Sequence, residues 1–330
     1  MTQLPRRGLL AAAAFTALAA KPWTSLRAQT PPWPNRALRI IVPYPPGAGT
    51  DLLARAYGQR LTELLGQPVV IENRAGASGI IGTEAAARSP ADGYTILMAN
   101  SSVLAINPAI RASLPYDPVA SFDPVALVGA NDSALVVRTA SPFRSVADLL
   151  AAAKARPGAL SYSSAGTGTS THMAAEFFKQ MAGVDILHVP YRGSPQAVTD
   201  MLGGQVDMTF NTVNSVMTAV RDGAARALAT TGVTRDPLLP DVPTFAEVGL
   251  TGYSASGWLG FVVPAGTPPN IVSELGSAIA QVAALPGFAE RIANIGIKPI
   301  ISSPAEFRAI IAPEIARWTQ VARQAGVQVE

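Results

Sequence analysis

Short apolar runs alternate with amphipathic segments in the first third of the chain. Apolar runs of strand length lie at residues 37–42, 69–71 and 94–99. Segments with apolar side chains at helical spacing lie at residues 51–65 and 80–88. Gly66 follows the first of these, where a glycine commonly ends a helix. This repeated strand–loop–helix order predicts a parallel sheet with helices on both of its faces.

The same order returns in the middle of the chain and predicts a second α/β unit. Its predicted strands lie at residues 160–163, 186–189 and 206–210, and its predicted helices at residues 148–155, 172–181 and 196–202. Apolar, strand-like segments at residues 125–137 and 258–263 join the two units. They predict two strand crossovers that form a hinge. Two further helices are predicted at residues 271–284 and 304–325, with Gly326 after the last one.

The fold class that follows from this order is α/β with two lobes, and 330 residues are enough for two domains. The expected boundaries are lobe 1 at residues 29–128, lobe 2 at residues 129–254, and a return to lobe 1 at residues 255–330.

The first 28 residues match the three-part pattern of an export signal peptide. Arg6 and Arg7 precede an apolar stretch at residues 9–20, and Ala28 offers a cleavage point. We therefore expect the mature protein in the periplasm. The arginine pair partly resembles a twin-arginine signal. The alternative is a disordered tail on a cytosolic protein.

Composition argues against several classes of function. The chain is 48% hydrophobic, yet beyond the signal no apolar run approaches the roughly 18 residues of a membrane span, so we expect no membrane insertion of the mature chain. A net charge of +3 without a basic stripe disfavours nucleic-acid binding. Zero cysteines and two histidines disfavour a metal site. Phosphate-loop and dinucleotide glycine motifs are missing, so we expect no cofactor.

Three loops share a design in which small residues follow a strand and open a helix. They lie at residues 47–51, 76–79 and 164–170 and are called here the first, second and third loops. The start of a helix offers free N–H groups and a positive dipole end, and glycine lets the backbone approach a ligand closely. Because such loops lie at the carboxyl ends of parallel strands, the three together predict a carboxylate held between two lobes.

The candidate ligand-binding residues come from these loops, from the residues beside them and from one later strand. They are Tyr44, Gly47, Ala48, Gly49, Thr50, Asp51, Ser78, Ser164, Ala165, Gly166, Thr167, Gly168, Thr169, Asp207 and Asn211. Tyr44 is a candidate to cover the ligand. Asp207 and Asn211 flank a strand end that we expect to face the cleft.

Several of these features also have purely structural interpretations. Glycine-rich turns between strand and helix occur in any α/β protein. Asp51 either caps the first helix or receives a ligand ammonium group or water. His172 is more typical of a structural hydrogen-bonding residue than of a ligand contact, and Arg192 of a solvated surface residue. Trp258 is more typical of core or hinge packing than of a stacking platform.

Catalytic motifs are missing from the chain. It contains no G-x-S-x-G elbow, no HExxH and no evident pair of nucleophile and base. We therefore expect no catalytic residues and a receptor, not an enzyme. The rival is a secreted hydrolase, and turnover of the ligand separates the two.

A series of motifs resembles one known family. In order, they are residues 42–51 (VPYPPGAGTD), 70–79 (VIENRAGASG), 91–95 (ADGYT), 188–193 (HVPYRG), 204–207 (GQVD) and 264–268 (PAGTP). They span nearly all of the mature chain and resemble the substrate-binding proteins of tripartite tricarboxylate transporters, the TctC or Bug receptors. Ala48 is a departure, because glycine is frequent at that position.

The resemblance implies a two-lobed periplasmic-binding-protein fold of type II. It implies that the first and third loops hold a ligand carboxylate, largely through backbone groups. The implied function is capture of a di- or tricarboxylate, amino acid or aromatic acid and its delivery to membrane permease subunits. A ligand-sensing module that signals to a sensor kinase stays an alternative.

Overall fold

Two separate β-sheets organise residues 32–328, the part of the chain that this computed structural model describes. The strands are β1 (Leu38–Val42), β2 (Val69–Asn73), β3 (Thr95–Asn100), β4 (Phe122–Asn131), β5 (Ser133–Arg138), β6 (Ser161–Ser164), β7 (Leu187–Pro190), β8 (Met208–Thr212), β9 (Ala225–Thr230), β10 (Gly257–Pro264) and β11 (Lys298–Pro299). The predicted export signal lies outside the described residues.

Helices separate most of these strands. They are α1 (Gly49–Leu65), α2 (Ile80–Ala87), α3 (Asn107–Ile110), α4 (Val146–Ala155), α5 (Ser170–Ala182), α6 (Ser194–Leu202), α7 (Val213–Arg221), α8 (Pro269–Ala283), α9 (Phe288–Ala293) and α10 (Pro304–Ala325). A 3₁₀ turn at Ala77–Gly79 precedes α2, and a π-helix at Ser102–Ile106 precedes α3.

The first sheet has the strand order β11-β4-β10-β3-β1-β2, and the second has β7-β6-β8-β5-β9. The predicted parallel pairs are present: β1 pairs with β2 and β3, and β6 pairs with β7 and β8. Both sheets are mixed, however, because β4, β5, β9, β10 and β11 pair antiparallel. The crossing strands enter each sheet against the direction of its βαβ units.

The apolar segment at residues 125–137 divides into two strands at one buried carboxylate. β4 ends in the first sheet, β5 begins in the second, and Asp132 lies between them with no exposed surface. One oxygen of Asp132 accepts a hydrogen bond from the Ser256 hydroxyl (2.6 Å), and the other contacts Lys298 Nζ (2.5 Å). Asp132 therefore ties the outgoing crossover to the returning one. The boundary expected after residue 128 falls inside β4.

Aromatic side chains fill the core on each sheet. Beside the first sheet, the Tyr57 ring meets Phe261 and Phe288 edge-on at centroid distances of 5.3 and 4.8 Å. Beside the second sheet, Phe178, Phe210 and Phe245 pack together. Such contacts add to the hydrophobic gain of burial and hold each lobe as a unit.

Helix ends follow the glycine rule at both predicted positions. Gly66 and Gly326 adopt left-handed φ values of 67° and 66° at the ends of α1 and α10. In α6, Gly193 occupies the capping position and Ser194 is the first helical residue. No helix within residues 32–328 combines the length and apolarity that crossing a membrane requires.

Candidate ligand-binding cleft

A cavity of about 80 Å³ lies between the two sheets, where the carboxyl ends of their parallel strands face each other. It is lined by Tyr44, Ala48, Gly49, Thr50, Asn100, Ser101, Ser102, Asn131, Ala165, Thr169, Ser170, Thr171, Ser194, Thr212, Asn214, Ser215 and Leu259. Six of these were predicted from sequence: Tyr44, Ala48, Gly49, Thr50, Ala165 and Thr169. The remaining lining residues were not among the candidates, although Ser170 belongs to the third loop.

Five helical segments begin at this cavity. α1, α5 and α6 begin at Gly49, Ser170 and Ser194, the π-helix begins at Ser102, and α7 begins directly after Thr212. Helix starts carry free N–H groups and partial positive charge. Among the described residues, no charged side chain lines the cavity. The cavity therefore offers an anion neutral donors and helix dipoles in place of a fixed cation.

Asp51 is the anchor of the first loop. One carboxylate oxygen accepts hydrogen bonds from the Gly47 amide (2.9 Å) and Arg55 Nε (3.0 Å), and the other accepts from Asn73 Nδ2 (2.8 Å). Burial disfavours the ionised carboxylate, but the bonds from Arg55, Gly47 and Asn73 outweigh it and hold the Asp51 pKa below its usual value. Asp51 thus holds the first loop through the Gly47 amide. It does not cap α1, because Ala48 occupies the capping position.

Tyr44 lines the cavity beside the first loop. Its hydroxyl donates to Asn100 Oδ1 (3.2 Å), and burial raises its pKa. The backbone carbonyl of Tyr44 accepts from Asn73 Nδ2 (3.1 Å). Tyr44 is therefore held by two strand ends of the first sheet, its ring by Asn100 and its backbone by Asn73.

The second loop carries two non-glycine residues in the left-handed region. Ala77 has φ 46° and Ser78 has φ 55°, a conformation that costs an L-residue energy and tends to occur at functional sites. The Ser78 hydroxyl donates to the Thr167 carbonyl (2.5 Å), and its own carbonyl accepts from Asn107 Nδ2 (3.1 Å). Ser78 does not line the cavity, but it connects the second loop to the third.

The third loop is held by neutral hydrogen bonds. Gly166 and Gly168 have φ values of 131° and 79°, which favour glycine at both positions. Ser164 Oγ accepts from the Gly166 amide (3.2 Å). Thr169 caps α5 by accepting from the His172 amide (3.4 Å). Ala165 donates its amide to a threonine hydroxyl in the first turn of α5 (3.1 Å).

Two buried imidazole rings lie under the third loop. His172 Nδ1 accepts from the Gly168 amide (3.3 Å), and the His172 ring stacks on His188 with centroids 4.1 Å apart. His188 Nε2 lies 2.7 Å from Ser164 Oγ. Burial lowers the pKa of His172 to about 4 and that of His188 to about 3. His172 is thus a structural hydrogen-bonding residue in this cleft.

The cleft is closed. The Ser170 amide of the second lobe donates to Ser102 Oγ of the first (3.1 Å), and Ser78 contacts Thr167 across the same gap. Asn214 Nδ2 lies 3.2 Å from where a β-carbon on Gly49 would stand. Both lobes therefore contribute polar groups to one small enclosure.

Asp207 lies elsewhere, and the expectation that it faces the cleft is wrong. Its carboxylate accepts from the Ser161 amide (2.8 Å) at the amino end of β6, whereas the cavity is at the carboxyl end. Asn211 is fully buried in β8, where its Oδ1 accepts from the Thr212 amide, and it does not line the cavity. Arg192 is exposed, and Trp258 packs edge-on against Phe307, as expected.

Six of the missed residues follow one rule that the sequence contains. Polar residues stand directly at the carboxyl ends of two strands: residues 100–102 (NSS) end β3 and begin the π-helix, and residues 212–215 (TVNS) end β8 and begin α7. Neither segment contains glycine. A search for every polar strand end, with or without glycine, would have found both.

A larger groove of about 660 Å³ lies on the surface of the first lobe. It runs between α8 and the segment before α10 and includes Asp123 and Arg308, which form an ion pair at 2.8 Å. No residue of the second sheet or its loops reaches this groove within the described chain. The smaller cleft is the better candidate because it gathers the helix starts of both lobes.

Known proteins resemble this chain over most of its length. A profile of the tripartite tricarboxylate transporter family receptors (TctC) matches residues 53–327. The chain belongs to this receptor family. The resemblance predicted from the motifs is therefore confirmed. BugT of Bordetella pertussis is 39% identical over 299 residues, covering 90% of this chain and 92% of that protein.

Two solved structures add bound ligands to the comparison with this TctC receptor. R. palustris Rpa4515, solved with adipate, is 36% identical with a TM-score of 0.86, covering 90% of this chain and 99% of that one. MatC from Rhodopseudomonas palustris, solved with malate, is 28% identical with a TM-score of 0.81, covering 87% of this chain and 99% of that one. The predicted two-lobed α/β fold of a periplasmic binding protein is confirmed.

Proposed function

We propose that this protein is a periplasmic solute-binding receptor that captures a small carboxylate between its two lobes. It delivers that ligand unchanged to the membrane permease subunits of a tripartite tricarboxylate transporter. It is not an enzyme, and residues 1–28 are its export signal. The family and the carboxylates bound in two solved relatives support this proposal.

The observation that carries the proposal is the closed, polar and uncharged cavity, whose wall contains the starts of five helical segments. An anion there gains from N–H donors on both lobes at once. Because only the closed state offers both sets of donors, ligand binding stabilises closure by differential affinity. The closed form is then the state that the permease recognises.

The proposed lobes are residues 29–128 with 255–330, and residues 129–254, with the first crossing refined to Asp132. The proposed contacts to the ligand are the lining residues of the first and third loops, joined by the polar ends of β3 and β8. Gly47, Asp51, Ser78, Ser164, Gly166, Thr167, Gly168 and Asn211 support those contacts from around the cavity.

The test is a thermal-shift screen of the purified protein against mono-, di- and tricarboxylates, amino acids and aromatic acids, with malate and adipate included. The protein is first unfolded and refolded to remove any ligand that purified with it. A ligand at about 100 times its dissociation constant adds about 2.7 kcal/mol and raises Tm. The recovered ligand is analysed to confirm that it is unchanged.

Two variants make the screen specific. Gly168→Val places a branched side chain in the third loop and is expected to abolish the shift. Asp207→Ala, at the opposite end of the same sheet, is the matched control and should keep it. If no carboxylate raises Tm in the refolded wild-type protein, the proposal fails.

A further inference from the structure

The two histidines of the described chain form a stacked pair directly under the third loop. His172 is 4% exposed, and the centroid of its ring lies 4.1 Å from that of the His188 ring, with an angle of 23° between the planes. The Tyr162 ring stacks on the other face of His188 at 4.8 Å. The three rings form a column from β6 to the loop, and none of them lines the cavity.

The ring of the column nearest to the third loop, His172, offers that loop one hydrogen-bond acceptor, Nδ1. His172 Nδ1 receives the Gly168 amide, so that nitrogen carries no proton and Nε2 carries it in the neutral ring. The bond fixes the amide of a residue whose φ of 79° suits glycine. The direction of this one N–H group sets how the loop turns from β6 into α5.

The middle ring of the column, His188, anchors the loop a second time. His188 Nε2 lies 2.7 Å from Ser164 Oγ, and the same oxygen accepts from the Gly166 amide (3.2 Å). The two glycines of the loop are thus each connected to one ring of the stacked pair. Because the rings pack against each other, a change in one is transmitted to the other.

The charged groups beside the pair are engaged with one another. Glu176 receives the Tyr162 hydroxyl (2.6 Å) and pairs with Lys179 at 2.9 Å, both on the same oxygen. Burial is the main cause that lowers the pKa of both histidines, and the Lys179 charge adds to it for each ring. For His188, His172 lowers the pKa further and Glu176 opposes the shift. The rings therefore stay neutral near pH 7, as the acceptor role of Nδ1 requires.

We propose that His172 is a positioning residue for ligand binding: its Nδ1 fixes the Gly168 amide, and stacking on His188 fixes the ring. The role in ligand binding rests on the proposed function, whereas the effect on loop geometry does not. His172 touches no ligand and acts through the loop.

The test compares two variants that divide the properties of the imidazole. His172→Asn keeps an acceptor oxygen at the δ1 position and loses the ring, whereas His172→Phe keeps a stacking ring and loses the acceptor. If packing alone matters, Phe preserves the loop and Asn loosens it. If the acceptor positions the loop, the order is reversed.

The readout is hydrogen exchange at the Gly168 amide, followed by NMR in the protein without added ligand. We expect about 10-fold faster exchange in His172→Phe, as for a lost hydrogen bond, and less than about 3-fold in His172→Asn. Equal exchange in wild type and His172→Phe, or faster exchange in Asn than in Phe, overturns the proposal.

A measurement on the wild-type protein decides the same point without any variant. Imidazole ¹⁵N shifts at pH 7 report which nitrogen of each histidine carries the proton. We expect His172 to be neutral, with Nδ1 bare and Nε2 protonated. A proton on His172 Nδ1 leaves the Gly168 amide without its acceptor and overturns the proposal, even if neither variant folds.

Titration with malate and with adipate separates this inference from the proposed function. If wild type binds either acid, His172→Phe should bind it about 10-fold more weakly and His172→Asn within about 3-fold. Equal affinity in all three proteins overturns the positioning role. If wild type binds no carboxylate in the full screen, the proposed function fails, and the exchange and ¹⁵N measurements still decide the loop geometry.

Discussion

The first and third loops face each other across the cleft, share one design and are anchored by opposite chemistry. Each follows a parallel strand, contains glycines and opens a helix. The first loop is anchored by Asp51, an ionised carboxylate that three N–H donors share. The third loop is anchored by His172 and His188, two neutral rings.

The difference shows that a glycine loop at the start of a helix can rest on either kind of support, provided that the support lies behind the loop. Asp51 exposes 2% of its side chain, so its negative charge is screened by its own donors and does not face the cavity. The histidines carry no charge near pH 7 because burial lowers their pKa. The two anchors therefore respond to pH in different ranges.

The largest effect expected from this comparison is on stability below neutral pH. The pKa of His172 is about 4 and that of His188 about 3, against 6.5 when unfolded, so the unfolded chain binds protons first as pH falls. The free energy of unfolding should drop by about 1.4 kcal/mol per pH unit for each histidine below about pH 6.5. Urea unfolding at pH 7, 6 and 5 measures it.

Asp51 cannot produce that drop. Its pKa is lowered, so its contribution is complete above the ordinary aspartate pKa and is lost only as pH falls below it. His172→Asn is the control and should remove about half of the slope between pH 6.5 and 5. A flat profile over that range would contradict a neutral histidine anchor.

The next effect is on the first loop. Asp51→Ala removes the shared acceptor of Gly47, Arg55 and Asn73, and we expect a loss of about 3 kcal/mol at pH 7, because buried donors lose their partner. Urea unfolding measures the loss. Asp51→Asn keeps one acceptor oxygen and should lose about half as much. A loss of less than about 0.5 kcal/mol in the alanine variant would contradict the role of Asp51 as the anchor of the first loop.

A smaller effect is expected from Gly168→Ala, which tests whether a contact across the cleft adds to the backbone strain of the loop. A β-carbon on Gly168 would stand 2.9 Å from both Asn107 Oδ1 and Ile110 Cδ1 of the other lobe, at a φ of 79°. Gly168→Ala should disfavour the closed state by about 2 kcal/mol, the sum of backbone strain and contact. Ligand affinity and small-angle scattering measure it.

Gly47→Ala is the matched control for strain alone. Its φ is 82°, and nothing lies within 4 Å of its added carbon. It should cost about 1 kcal/mol of stability and leave closure unchanged. If Gly168→Ala behaves like Gly47→Ala, the contact across the cleft does not matter.

The smallest effect belongs to Gly49→Ala. Its backbone needs no left-handed φ, and the added carbon meets Asn214 Nδ2 at 3.2 Å, the mobile end of a side chain. We expect a loss of affinity below about 3-fold, because a shift of Asn214 by a few tenths of an ångström relieves the contact. Isothermal titration measures it, and a loss above about 10-fold would mean that Asn214 cannot move.

The sequence was sufficient for most of the elements that position the cleft. The strands before the three loops and the helices after them lie within two residues of their predicted ends, because apolar periodicity and glycine positions are local properties. The antiparallel crossings were missed, since direction within a sheet depends on how distant strands pair. The split of residues 125–137 at Asp132 depends likewise on partners from residues 256 and 298.

The sequence was less informative about the site. Glycine identified the first and third loops, because its conformational freedom marks a close backbone approach without any knowledge of neighbours. Asn100, Asn131 and Asn214 carry no such mark, because an asparagine at a strand end or helix start is equally common on a solvated surface. Asp207 was misplaced although it lies at the amino end of its predicted strand, where the rule that ligands bind at the carboxyl ends of parallel strands argues against it.

By itself, the sequence determined the two α/β units, their glycine loops and the absence of cysteine, since each depends on residue type and short spacing. Only the tertiary structure decided which polar groups share the cavity and which support it from behind. Asp51 and His172 adjoin the same loops as the lining residues, but their hydrogen bonds hold their side chains behind the loops, away from the cavity. The direction of a side chain follows from the packing around it, and that packing joins residues far apart in the chain.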